Sequence, residues 1–212
     1  MSRRAARGQG DGAPGGPAGP AGRGASPIPG VTWGAVTRHV DSRGSFRELW
    51  RASAFGPLDV ALAGLPDAAF AQANLSTSAA GVLRGLHLHR RQADHWIVVA
   101  GRALVALVDA RPLVAGTASR PLVELREAGP DATVTVPALV AHGFLALEPL
   151  ELVYLVTGEY DGSDELGFAW DDPLAAIAWP PAPGTPDGRP ILSDRDRTNP
   201  SLAELVARLR AS

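Results

Sequence analysis

The chain has 212 residues, enough for one ordinary domain plus some unstructured sequence, and its 45% hydrophobic and 20% charged residues are the balance of a soluble globular protein. A formal net charge of -2 gives no electrostatic reason to expect nucleic acid or an anionic membrane as partner. Cysteine is absent, which excludes disulfides and thiolate metal sites, so any metal would need His and carboxylate ligands.

Residues 1–30 are mainly Gly, Ala, Pro and Arg, with Ile28 the single large aliphatic after Met1. Such a segment buries too little apolar surface to offset its ordering entropy, so residues 1–30 are expected to be a disordered tail and residues 31–212 a folded domain. The N-terminus lacks the apolar core of a signal peptide, and no run approaches the roughly 20 apolar residues that span a bilayer, so a cytoplasmic protein with no membrane partner is expected.

From Val31 onward short apolar segments alternate with turn residues. Trp96 to Val99 runs into Gly101, and Ala103 to Val108, Ala132 to Val136, Phe144 to Leu147 and Leu150 to Val156 follow. Gly129-Pro130 and Glu148-Pro149 punctuate them, and Gly101-Arg102 reads as a hairpin turn. Regular short strands at spacings of about 8–12 residues predict an all-β sandwich or barrel rather than βαβ units. Closing the sheets into a jelly roll avoids exposed edges. Residues 181–190, rich in Pro and Gly, read as a loop, and helix is scarce. Its best candidate is the C-terminus, where Ser201 and Glu204 form a capping box ahead of Leu202, Leu205, Val206 and Leu209.

Polar groups concentrate in Arg84-Gly85-Leu86-His87-Leu88-His89, in Ala141-His142-Gly143-Phe144, and in Tyr154, Tyr160 and Ser193-Asp194-Arg195-Asp196. His87 lies within an apolar strand, where an unpaired imidazole is costly to bury. A barrel interior that spends such positions on His, Arg and Tyr has the composition of a ligand site. Read alone, Arg43 also fits a turn salt bridge, Gln72 and Asn74 fit strand caps, and Tyr154 fits an ordinary core aromatic.

Segments in order through the domain resemble the dTDP-4-dehydrorhamnose 3,5-epimerase family. They are Asp41-Ser42-Arg43-Gly44-Ser45-Phe46-Arg47-Glu48, Gln72-Ala73-Asn74, Gly81-Val82-Leu83-Arg84-Gly85-Leu86-His87 and His142-Gly143-Phe144-Leu145. Val153-Tyr154 with Glu159-Tyr160, Asp171-Asp172-Pro173, Trp179-Pro180 and Ile191 to Asp196 complete the set. The resemblance implies a jelly-roll cupin, a homodimer, and an isomerase that removes and returns protons at C3 and/or C5 of a dTDP-4-keto-6-deoxyhexose in deoxysugar biosynthesis. Protons beside a ketone are weakly acidic, so a base poised near neutrality and a stabilised enolate are required. By resemblance His87 is that base, Asp194 the carboxylate that orients it, and Tyr154 the acid on the opposite face of the sugar. An unperturbed imidazole, with a pKa of about 6.5, suits the task. Arg43, Glu48, Gln72, Asn74, Arg84, His142 and Glu165 match positions that contact the nucleotide or sugar, and arginine suits a diphosphate because its planar fork donates two hydrogen bonds. No cofactor is implied.

One position departs from the family pattern. Aligned on Gln92-Ala93 and Gly101, the lysine that helps hold the C4 oxyanion falls on Asp94. A carboxylate there opposes enolate formation by like-charge repulsion unless it points away or carries a counter-charge. The same departure makes Gly81, His87, His89, Asp94 and Gly101 resemble the first motif of metal-binding cupins, with His142 in part of the second. His87, His89, Asp94 and His142 are therefore an alternative ligand set for a divalent metal. A metal-dependent cupin isomerase or oxygenase, and a non-catalytic sugar-binding cupin, are the competing functions.

Overall fold

The computed structural model describes residues 25–51, 69–160 and 162–211. In chain order these form strands β1 (Thr32–Ala35), β2 (Arg38–Asp41), β3 (Gly44–Arg47), β4 (Gln72–Ser78), β5 (Leu83–Leu88), β6 (Asp94–Ala100) and β7 (Ala103–Asp109). The short helix α1 (Arg111–Val114) precedes β8 (Leu122–Ala128), β9 (Ala132–Val136), β10 (Val140–Ala146), β11 (Leu150–Val156) and β12 (Leu166–Gly167). Helices α2 (Asp194–Arg197) and α3 (Leu202–Ala211) end the chain. None of these helices is long and apolar enough to cross a membrane.

Two five-stranded antiparallel sheets face one another, in the orders β1-β9-β6-β11-β4 and β12-β5-β10-β7-β8, while β2 and β3 pair as a separate hairpin. This is the expected jelly-roll architecture, with the two sheets packed as layers. Among the described residues, β7 and β8 are the only consecutive strands from β4 to β12 that pair with each other. The chain otherwise changes sheet at each connection. The turn at Gly101-Arg102 is therefore not a hairpin: β6 pairs with β9 and β11, whereas β7 pairs with β10 and β8. Gly101 has φ +77°, and a Cβ there would meet the Pro149 carbonyl oxygen at 2.0 Å, so glycine is needed where the chain crosses between layers.

Alternation along the strands follows from these layers. In β7, Ala103, Val105 and Leu107 face the inner core with Val98, Val134, Phe144 and Leu150. Ala106 and Val108 face outward, where Leu202, Leu205 and Val206 of α3 and Phe168 cover them. A strand buried on both faces reads as a continuous apolar run, which is why β7 and β10 show little polarity. Edge strand β4 instead alternates half-buried and exposed residues from Gln72 to Thr77. The capping box starting α3 is present: Glu204 N–H donates to Ser201 Oγ at 3.2 Å, and Ser201 N–H donates to Glu204 Oε2 at 2.9 Å.

The boundary expected at residue 30 needs correction. Ile28 is 1% exposed in the inner core, Ser26 donates to Glu124 at 2.5 Å, and Arg111 donates to the Pro29 carbonyl at 2.7 Å. The single large aliphatic of the segment finds a place between the sheets and anchors its neighbours. Residues 1–24 of the expected tail lie outside the described residues.

Candidate active site

A cleft of about 690 Å³ opens between the two sheets, within the range of about 300–1,000 Å³ usual for small-molecule sites. Strands β4, β6 and β11 form one wall through Gln72, Asn74, Asp94, Trp96 and Tyr154. Strands β5 and β10 form the other through Arg84, His87, His142 and Phe144, with His89 just beyond β5. Arg84 and His87 are three residues apart, so a regular strand would put them on opposite faces. They share the cleft because the ladder shifts: Phe144 faces Arg84 and His142 faces His87, with two residues on β5 opposing one on β10. Gly85 and Gly143 allow this bulge, since a Cβ on Gly85 would lie 2.7 Å from the Gly143 Cα.

His87 Nε2 lies 2.9 Å from Asp196 Oδ1, and the Asp196 side chain is only 4% exposed. Asp194, expected in this role, has a fully exposed side chain that pairs with Arg197 at 2.8 Å. The reason is helix geometry. Ser193 is the N-cap of α2, its hydroxyl accepting from Asp196 N–H at 3.1 Å, so Asp194 is the first helical residue and Asp196 the third. Residues two apart on a helix point in nearly opposite directions. Burial alone would raise the Asp196 carboxyl, but hydrogen bonds from His87 and Ser193 outweigh it and hold the carboxyl below its ordinary value.

Tyr154 projects from the facing sheet, in register with Asn74 and Trp96. Burial raises its phenol above the ordinary value, Asp94 and Glu165 add to the effect, and Arg84 opposes it. The phenol therefore keeps its proton. Arg84 is steadied by Ser78 Oγ at 3.1 Å and the Thr77 carbonyl at 3.2 Å, while Gln72 donates to Asn74 at 2.8 Å. Glu165 lines the cleft paired with Arg195. Arg43 and Glu48 do not line it. Both are exposed near the β2–β3 hairpin, where Arg43 closes the turn onto Asp41 at 2.5 Å and Glu48 pairs with Arg51 at 2.5 Å.

His142 is buried in the wall, where Trp96 meets its ring edge-on with centroids 5.2 Å apart. Burial pushes its imidazole down to about 4, with Asp94 pulling the other way and His89 and His87 adding to the depression. Of the four alternative metal ligands, His89, Asp94 and His142 bring one donor atom each within 4.8 Å of one another. His87 is not part of that group, being engaged by Asp196. Asp196, Arg195, Tyr160, Trp96 and Gln92 are among the lining residues to which the sequence assigned no role in the site. Asp196 was within reach of sequence reasoning, because Ser193-x-x-Asp196 has N-cap spacing, which makes Asp194 and Asp196 the first and third helical residues, on nearly opposite sides of the helix.

The sequence model of the dTDP-4-dehydrorhamnose 3,5-epimerase family matches residues 25–204. The chain is 37% identical over 189 residues to the dTDP-4-dehydrorhamnose 3,5-epimerase of Mycobacterium tuberculosis, covering 85% of this chain and 87% of that one. Its fold is similar to NovW, a 4-keto-6-deoxy sugar epimerase from the novobiocin gene cluster of Streptomyces spheroides, with a TM-score of 0.71 and 31% identity over 91% of this chain and 92% of that one. It is also similar to ChmJ, a 3'-monoepimerase from Streptomyces bikiniensis solved with dTDP-quinovose. There the TM-score is 0.64, with 28% identity over 86% of this chain and 96% of that one.

Proposed function

Because the chain belongs to the dTDP-4-dehydrorhamnose 3,5-epimerase family, an isomerase class, we propose that it epimerises a dTDP-linked 4-keto-6-deoxyhexose with His87 as base. The observation that carries this reading is the pairing of His87 with the buried Asp196 on one wall and a protonated Tyr154 on the other. With Nε2–H donating to Asp196, Nδ1 is the nitrogen that takes the proton from the carbon beside the ketone. Asp196 fixes the tautomer and stabilises the imidazolium as it forms, the supporting role an aspartate has in a hydrolase triad. Tyr154 then delivers a proton from the facing sheet, and return from the opposite side inverts the centre. Arg84, Gln72 and Asn74 hold the sugar and its nucleotide in register with the base.

The same reading makes the protein a cytoplasmic homodimer. Val40 and Phe46 on the β2–β3 hairpin are 73% and 68% exposed, and Leu75 on edge strand β4 is 63% exposed. Covering them with a second copy buries this apolar surface and carries Arg43 and Glu48 away from their own cleft toward a partner. A solution mass of about twice the 22.0 kDa chain is expected from sedimentation. The activity is tested by incubating dTDP-4-keto-6-deoxyglucose with the enzyme in deuterium oxide. Uptake at C3, C5 or both supports the reading and shows which centres turn over.

A further inference from the structure

We propose that His89, Asp94 and His142 bind one divalent transition-metal cation at the cleft wall, a role in enolate stabilisation that rests on the epimerase reading. Both sheets supply the donors: Asp94 opens β6, His142 sits in β10, and His89 follows β5. The two imidazoles are fixed in the same sense. His89 Nδ1 lies 2.8 Å from the Asp164 carbonyl and His142 Nδ1 lies 3.1 Å from the Val140 carbonyl. A carbonyl only accepts, so each Nδ1 carries hydrogen and each Nε2 of the neutral ring holds a lone pair. Such a second contact, orienting the ring through its other nitrogen, is the usual support of a metal-ligating histidine.

Asp94 completes the set. Its Oδ1 accepts from Gln92 at 2.9 Å and its Oδ2 from Trp96 at 3.2 Å, which orients the carboxylate. The side chain is 4% exposed, and no arginine pairs with it among the described residues, whereas Asp109 pairs with Arg111 and Asp131 with both Arg38 and Arg47. His142 Nε2 faces Asp94 Oδ2 at 3.5 Å, an imidazole lone pair opposite a carboxylate oxygen. Two acceptors at that distance repel unless a cation lies between or beside them. A proton on His142 would join Asp94 to His142 alone, leaving His89 unanswered; one metal ion answers all three.

Two imidazoles and one carboxylate suit Mn²⁺, Fe²⁺, Co²⁺, Ni²⁺ or Zn²⁺, and three protein ligands leave positions open for substrate oxygen. Ligands at about 2.1 Å from an ion at right angles are about 3 Å apart, so donors lying within 4.8 Å of one another close by side-chain rotation on binding. The site also answers the charge problem in the cleft. When His87 takes the α-proton, negative charge develops on the ketone oxygen, and a bare Asp94 beside it is repulsive. A bound dication coordinated by that oxygen reverses the sign while His87 and Tyr154 still perform both proton transfers.

The test uses the full chain, stripped with a chelator, dialysed and titrated with CoCl₂. The expected result is one equivalent bound, a visible d–d spectrum, and paramagnetically shifted imidazole signals from two histidines. Folded His89→Gln and Asp94→Asn variants, judged by circular dichroism, are expected to bind at least about tenfold more weakly. Absence of saturable Co²⁺ binding by the parent, or a spectrum without histidine ligation, overturns the proposal even if neither variant folds. Deuterium exchange keeps the two readings separate. Undiminished exchange in metal-free protein that binds no Co²⁺ overturns the site and leaves the epimerase standing. Tight Co²⁺ binding without any exchange upholds the site and overturns the epimerase reading.

Discussion

Replacing Asp196 by Asn keeps the shape of the side chain and removes its charge, leaving His87 a neutral partner at the position now 2.9 Å away. At that separation a full ion pair is worth about 6 kcal/mol at an effective dielectric constant of about 20. The net worth of hydrogen bonds to charged groups is nearer 1.5–3 kcal/mol. The two figures bracket the transition-state stabilisation lost when imidazolium forms without its carboxylate. With about 1.4 kcal/mol for each factor of ten, Asp196→Asn is expected to slow proton exchange by ~10²–10³-fold. The cap on α2 survives, because Ser193 Oγ accepts from the Asp196 backbone N–H, a bond the substitution leaves in place. Asp194→Asn is the matched control, since that side chain is fully exposed, and its exchange rate is expected to stay within about twofold of the parent. Solvent-deuterium uptake followed by NMR under single-turnover conditions measures both. If Asp194→Asn disables exchange and Asp196→Asn does not, the assignment of the dyad is wrong.

Tyr154→Phe is expected to retain wash-in of deuterium at the centre His87 serves while losing inverted product, read by comparing exchange with product configuration. Because burial holds the Tyr154 phenol above its ordinary value of 10.0, the proton it donates is present at neutral pH and lost only at still higher pH. No fall in rate from its ionisation is therefore expected below about pH 10, and one that Tyr154→Phe abolishes at lower pH would contradict this. At the N-terminus, deleting residues 1–24 is expected to leave the melting temperature nearly unchanged, on their composition. Ile28→Ala truncates a side chain 1% exposed and should cost about 2–5 kcal/mol, lowering the melting temperature by several degrees in a calorimeter. Equal effects of the two changes would show that the anchor is misplaced.

Strands β9 and β11 coincide with the apolar runs from Ala132 to Val136 and from Leu150 to Val156, because proline or glycine punctuates them and their length is that of a strand. Pairing partners were not legible in the same way. A turn at glycine looks alike whether the strands beside it pair or enter different layers, and the misread Gly101-Arg102 connection is the second kind. The cleft residues of β5 were found through their motif, but strict alternation would have separated Arg84 from His87. The bulge that unites them depends on the approach of Gly143 from a strand nearly 60 residues away. Asp194 and Asp196 differ only in their turn of the helix, and the cap at Ser193 decides between them. Arg43 and Glu48 carry a family pattern without lining the cleft of their own chain, since a motif does not by itself say where the backbone carries its side chains.

The central claim is that His87 abstracts the proton beside the ketone, and comparison of the parent with His87→Asn in deuterium oxide tests it most directly. With dTDP-4-keto-6-deoxyglucose as substrate, the parent is expected to incorporate deuterium at C3, C5 or both. The folded variant is expected to do so ~10²–10⁴-fold more slowly, the usual worth of general acid–base catalysis. Unchanged deuterium uptake by folded His87→Asn would remove His87 from the mechanism, and absence of uptake by the parent would leave the cleft a sugar-binding site without chemistry.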